Sequence, residues 1–246
     1  MKIGYTIAAY LTTQDRDNHS NCSENIYYYI DTQIECINSI KLDLYKIYIV
    51  CTISDELDSS KLVQDLRSKY SEDPRIIISS RLNLGGSYCS WHHALTLDEG
   101  DCDYMFLLED DYTVIYPEAI ESLIKYFKDS KDLLYVCQMW TDKPYSQDGF
   151  TIQNHAAISN GLLNNKLYYS AKKKGLDFHL IEGTSKESIC LNQALFLNPF
   201  VQAGYSVADI RNDYSSIFAA SKTESIEYGK VDGVRIFLPI IPQFFN

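Results

Sequence analysis

Three consecutive carboxylates, Glu109-Asp110-Asp111, close the apolar run DYMFLL at residues 103–108. Adjacent carboxylates repel one another and are costly beside a buried strand unless water or a cation neutralises them. Parallel α/β sheets bind ligands at the carboxyl ends of their strands. Oxygen donors in that place suit Mg2+ or Mn2+, and a cation held there can hold phosphate. Taken alone, the triplet reads equally well as a solvated acidic turn. A second short motif, Asn83-Leu84-Gly85, precedes it, with Arg81 just upstream. Tyr10 and Trp140 at strand ends offer aromatic faces, Trp140 to the C–H face of a sugar, with core or surface packing the equal alternative.

These residues need a frame, and hydrophobic periodicity supplies one. Residues 2–9 predict a first strand, followed by a polar loop over 10–23. Ile26, Ile30, Ile34 and Ile37 recur at helical spacing, so 24–40 predicts an amphipathic helix. Residues 44–51 predict a second strand, Leu62, Leu66 and Tyr70 a helix, and 75–78 a third strand. Gly85-Gly86 breaks the chain before a helix that carries Tyr88, Trp91, His92 and Leu95 along one side, a face suited to packing on a sheet. The strand at 103–108 then runs into the acidic triplet. Tyr116-Pro117 suits a helical first turn, Ile120, Leu123, Ile124 and Phe127 continue it, and 133–140 predicts a strand.

Further on, Leu167, Tyr168 and Ala171 predict a helix closed by Lys172-Lys173-Lys174-Gly175, a pattern of C-terminal charge and cap. Residues 189–197 predict a strand, 223–229 a short helix and 234–241 a last strand. The alternation predicts one α/β domain over 1–246, with a Rossmann-like, mainly parallel central sheet flanked by helices.

Composition narrows the function classes. Twenty-two basic against 33 acidic residues give a net charge of −11, which argues against a nucleic-acid surface. No apolar run is long enough to span a membrane. The seven cysteines form no C-x-x-C pair, so free thiols in a reducing compartment fit better than disulfides or zinc. With no signal-like start, a cytoplasmic location is expected.

In order, the strand, Asn-x-Gly, helix, strand, acidic triplet and proline-started helix resemble the nucleotide-sugar-dependent glycosyltransferases of GT-A fold, especially the family 2-like group. The resemblance covers about residues 2–140 and continues more weakly beyond. It implies a nucleotide-sugar-binding half over about 1–112 and an acceptor-binding half over about 113–246. Glu109 falls on the first acid of the family's motif, which contacts the donor's ribose or sugar. Asp111 falls on the last, which binds the metal bridging the diphosphate, and Asp110 lies between, helping through water. Ala8 and Tyr10 fall where the family cradles the nucleobase, and Asp55 where an acid hydrogen-bonds the base. As a residue, Asp55 equally suits an exposed turn or a helix N-cap. Asn83 falls on the family's Asn-x-Gly, Arg81 just before it could offset diphosphate charge or merely pair with a surface acid, and Trp140 falls near the acceptor side.

Some features depart from the pattern. The helix after Gly85 reads Ser87-Tyr88-Cys89-Ser90-Trp91-His92-His93 in place of small residues and an Arg-Asn pair. The Glu-Asp pair that many members carry before a Gly-Tyr-like turn is here Asn192-Gln193 before Gly204-Tyr205. Inverting sugar transfer needs a carboxylate base. A second pattern of related transferases, Asn-Pro, helix, then a late Glu before a Gly and a final strand, resembles residues 195–240 and implies Glu224, with Glu227 and Asp213 behind it.

The expectation is a Mn2+- or Mg2+-dependent, inverting glycosyltransferase. It would take a nucleotide diphosphate sugar as donor and a glycan or other hydroxyl as acceptor. A sugar-1-phosphate nucleotidyltransferase is the nearest rival, but it would want a glycine-rich basic loop after the first strand. Residues 10–23 hold no glycine and one arginine. A carbohydrate-binding or scaffold protein that kept the fold and lost turnover is the other.

Overall fold

A computed structural model describes residues 1–13, 25–55, 57–114, 119–137, 140–141, 145–147, 150–152, 157–158, 160–209 and 237–239. The first half alternates β1 (Ile3–Leu11), α1 (Tyr28–Ser39), β2 (Lys46–Ile53), α2 (Ser59–Lys69), β3 (Ile76–Arg81), α3 (Gly86–Asp98) and β4 (Tyr104–Glu109). A short β5 (Tyr112–Val114) leads to α4 (Ala119–Asp129) and β6 (Leu133–Cys137). Small strands β7 (Trp140–Thr141), β8 (Tyr145–Gln147), β9 (Phe150–Ile152) and β10 (Ala157–Ile158) precede β11 (Gly161–Asn164). The rest comprises α5 (Asn165–Lys172), α6 (Lys186–Leu195), α7 (Asn198–Gln202), β12 (Ser206–Asp209) and β13 (Phe237–Pro239).

Seven strands form the central sheet in the order β12-β6-β11-β4-β1-β2-β3. β1, β2, β3 and β4 are parallel, and so are β6 and β12, while β11 runs antiparallel between β4 and β6. The expected mainly parallel α/β sheet is therefore present. β13 lies apart from it, antiparallel to β5.

The pleat of β1 sorts the core into two layers, because alternate side chains face opposite sides of a sheet. Tyr5, Ile7, Ala9 and Leu11 pack with Ile30, Ile34 and Ile37 of α1, Val63 and Leu66 of α2, and Ile120, Leu123 and Phe127 of α4. Ala8 points the other way, into a layer with Tyr88, Trp91 and Leu95 of α3, Tyr168 of α5, and Phe196 and Phe200. Both faces of the parallel strands are covered, which is why they read as near-continuous apolar runs. Trp91 is fully buried and its Nε1–H donates to the Leu108 carbonyl at 3.1 Å, so this helix face does pack on the sheet.

One expectation is corrected. The predicted strand at 189–197 falls instead on helix α6, Lys186–Leu195. Its buried residues are Ser188, Cys190, Asn192 and Ala194, a spacing of two that imitates a strand. Local chemistry decides for the helix: Ser185 is the N-cap, its hydroxyl accepting from the Ser188 N–H at 3.1 Å. The six described cysteines are free thiols. Among the described residues no helix is long and apolar enough to cross a membrane.

Candidate functional site

The carboxyl ends of β1, β2 and β4 and the start of α3 enclose a cavity of about 360 Å3. Ala8 and Tyr10 of β1 and Thr52 of β2 form its floor, and Glu109, Asp110 and Asp111 one wall. Asn83, with Gly86, Ser87 and Ser90 of the first turns of α3, forms another, and Ile189 of α6 completes it. The parity of β1 explains the choice: Ala8 lies in the α3 layer and Tyr10 shares its face.

The acidic wall is held from behind by polar groups that sequence reasoning missed. Gln33 of α1 is fully buried; its Nε2 donates to the carbonyls of Glu109 at 3.1 Å and Asp110 at 2.7 Å. Its Oε1 accepts from the Tyr5 hydroxyl at 2.9 Å. Buried Asn160 accepts the Glu109 N–H on Oδ1 at 2.7 Å. The only signal for Gln33 was a polar residue set among the isoleucines of an apolar helix face.

The three acids differ in what holds them. Glu109 Oε1 accepts from the Ser87 hydroxyl at 2.7 Å, linking β4 to α3 across the cavity. Asp110 is only 3% exposed, and its Oδ2 accepts from the Tyr10 N–H at 2.8 Å, so it closes the end of β1. Burial first, and the Asp110 charge second, push the nearby Cys51 thiol up to about 12. Asp111 lines the cavity in the turn before β5.

The Asn-x-Gly turn is fixed by its own set. Gly85 has φ +70, and a Cβ there would stand 2.3 Å from Cys89 Sγ and 2.8 Å from the Ile181 carbonyl. Only glycine fits such an approach at that φ. Asn192 is fully buried: its Nδ2 donates to the carbonyls of Gly85 at 3.1 Å and Ile181 at 2.9 Å, and its Oδ1 accepts the Ile181 N–H at 2.7 Å. It thus ties α6 to the turn. Arg81 donates from Nη2 to the Leu84 carbonyl and from Nη1 to the Gly86 carbonyl at 3.5 Å and Ser90 Oγ at 3.4 Å. Burial pulls its pKa down, and its charge serves the turn. Gly85, as N-cap of α3, supplies no side-chain cap, which leaves the helix's first N–H groups to face what enters the cavity.

A neighbouring cavity of about 400 Å3 shares Asn83 and is lined by Asp55, Ser59, Arg81 and Leu82. Asp55 is exposed in the turn after β2. The N-cap of α2 is Asp58, which accepts from the Ser60 and Lys61 N–H groups. The structure therefore brings Ala8, Tyr10, Asn83, Glu109, Asp110 and Asp111 around one cavity and Asp55, Arg81 and Asn83 around the next. Trp140 lies in β7, paired with Ile158 of β10. Glu224, Glu227 and Asp213 lie outside the described residues.

Charge is the plainest chemical property of the first cavity. Among the described residues its lining holds three carboxylates and no basic side chain. A phosphate-bearing ligand would meet repulsion there unless a cation came with it. No cluster of three or more His, Cys, Asp or Glu among the described residues makes a complete cage. Mg2+ does not need one, since it usually takes one or two protein carboxylates and completes its shell with water and substrate phosphate. The carboxylate oxygens of this wall, Asp111 among them, are the donor type such a cation takes.

No family profile and no curated protein sequence matches the chain. Among solved structures, it is similar to a mannosyltransferase from Pyrobaculum calidifontis in complex with GDP-Man and Mn2+, at 9% identity and a TM-score of 0.50, over 85% of this chain and 54% of that one. It is also similar to a CMP:2-keto-3-deoxy-manno-octonic acid synthetase complexed with CTP, at 11% identity and a TM-score of 0.46, over 85% and 89% of the two chains. A 4-diphosphocytidyl-2C-methyl-D-erythritol synthase from Anaerococcus prevotii matches at 13% identity and a TM-score of 0.43, over 78% and 94%. With the sheet described above, the likeness to the mannosyltransferase shows that the chain has a GT-A-like fold.

Proposed function

We propose that this chain is a metal-dependent glycosyltransferase that moves a sugar from a nucleotide diphosphate sugar to an acceptor hydroxyl. The observation that carries the reading is the cavity at the strand ends: three carboxylates, a helix start without a side-chain cap and, among the described residues, no basic lining residue. Such a site favours a diphosphate that arrives with its own divalent cation. The similarity to a mannosyltransferase seen with GDP-Man and Mn2+ supports the same choice.

In this reading Asp111 would hold Mn2+ or Mg2+. A bound ion would offset the charge that develops on the leaving diphosphate. The Asp55 cavity receives the base, with Asn83 between the two sites. Glu109, oriented by Ser87 and Asn160, meets the ribose or sugar hydroxyls. The N–H groups at the start of α3 add positive potential on the phosphate side. As the C1–O bond to the diphosphate breaks and a C1–O bond to the acceptor forms, the acceptor's proton passes to a carboxylate, for which Glu224 is the proposed base.

The rival nucleotidyltransferase reaction brings a nucleoside triphosphate and a sugar phosphate together. Two anionic substrates in one site need more positive charge than this lining holds. Product analysis separates the readings. Incubation with UDP-, GDP- and TDP-sugars and Mn2+ should release nucleoside diphosphate. Pyrophosphate release from a triphosphate and a sugar 1-phosphate would instead show nucleotidyl transfer, and neither product would show a fold without turnover.

A further inference from the structure

Ile189 stands out in the first cavity. It is 37% exposed, one of few large apolar side chains left in solvent among the described residues, and it is the one aliphatic side chain longer than alanine in a described lining of carboxylates, hydroxyls, an amide, Ala8, Tyr10 and Gly86. Its position is built. α6 starts on the Ser185 cap, and Asn192, one turn further on, ties the helix to Gly85 and Ile181. The Ile189 methyl groups lie over Gly86: a Cβ on that glycine would be 3.4 to 3.8 Å from Cγ1, Cγ2 and Cδ1. The side chain is thereby seated against the start of α3, where the phosphate-facing N–H groups lie, and its outer surface turns to the cavity.

An exposed aliphatic face in a polar sugar site rewards a ligand that brings an apolar group to it and penalises one that buries a hydroxyl there. Among hexoses, the largest apolar projection is the methyl group of a 6-deoxy sugar. We propose that Ile189 determines sugar specificity, selecting a donor whose hexose is deoxygenated at the carbon that meets it. The inference rests on the nucleotide-sugar reading of this cavity.

The test compares a nucleotide diphosphate hexose with its 6-deoxy counterpart on the same nucleotide, such as GDP-mannose with GDP-6-deoxymannose and TDP-glucose with TDP-6-deoxyglucose. Kd is measured by calorimetry in Mn2+, with the bare nucleoside diphosphate as reference within each variant. The wild type should favour the 6-deoxy sugar by about ten-fold or more, the discrimination expected for one small group in an apolar contact. Ile189→Val should keep the preference and Ile189→Asn should abolish or reverse it. An equal ratio in wild type and Ile189→Asn, or a preference for the hydroxylated sugar in the wild type, would overturn the role of Ile189 while leaving the nucleotide-sugar reading in place. Failure of every nucleoside diphosphate to bind would overturn both.

Discussion

Asn192 occupies the place where a family 2-like pattern expects an acid, and the structure gives it a different task. One buried amide serves three backbone groups, the carbonyls of Gly85 and Ile181 and the N–H of Ile181. Asn192→Ala leaves them without their partner, and a buried group left unpaired costs about 1–3 kcal/mol. We expect the loss in a urea titration to reach the upper end of that range, with nucleotide affinity weakened as the Asn-x-Gly turn loosens. A loss of unfolding free energy below about 0.5 kcal/mol, the usual effect of a surface change, would mean that the amide is not holding the turn. The missing acid moves the proposed base to Glu224. Glu224→Gln keeps size and hydrogen bonding but cannot take a proton, so kcat should fall by about 10²–10⁴-fold with donor binding nearly intact. Wild-type turnover in Glu224→Gln, with Asp213→Asn or Glu227→Gln inactive, would assign the base elsewhere. The acidic triplet was legible because charge at a strand end is anomalous in any sequence. Gln33, Asn160 and Asn192 were not, because a buried amide looks like any surface amide until its partners are known.

Elements carry their own chemistry. Asp177 joins α3 to α5: its Oδ1 accepts from the Tyr168 hydroxyl at 2.8 Å, Lys172 Nζ lies 3.0 Å from Oδ2, and His92 Nε2 lies 3.5 Å from Oδ1. Burial pushes the Asp177 pKa up, but the nearby His92 ring, the Phe178 N–H, Lys172 and the Tyr168 hydroxyl outweigh it and hold the carboxyl below the usual range. A carboxyl with a lowered folded pKa adds stability that is complete above its unfolded pKa, about 3.9, and is lost as pH falls toward the folded value. Asp177→Asn should therefore destabilise the protein at pH 7, and the gap from wild type should close as pH falls below about 4. A gap that stays constant from pH 7 to pH 2 would show that the charge of Asp177 contributes nothing. The strands and helices of the first half were legible because each sits on a sheet covered on both faces, where apolar runs and helical periodicity are undiluted. α6 was not, because its burial repeats every second residue and only the Ser185 cap betrays the helix.

At the scale of the molecule, a chain of net charge −11 places three of its carboxylates together at the carboxyl edge of its sheet. Self-repulsion of this kind is relieved by a cation and worsened by a bare phosphate ligand. The order of the sheet sets the place: β1, β2 and β4 end together, and α3 begins where they end. The central claim is that this edge binds a nucleotide diphosphate sugar through a divalent ion held by Asp111. Isothermal titration of UDP-, GDP- and TDP-sugars in Mn2+ and in EDTA, on wild type and Asp111→Asn, tests it most directly. The account predicts that one of these donors binds the wild type in Mn2+, that EDTA abolishes the binding, and that Asp111→Asn weakens it roughly ten-fold or more, as for a lost contact to a charged group. Equal affinity in Mn2+ and EDTA, or an Asp111→Asn variant that binds as the wild type does, would contradict it.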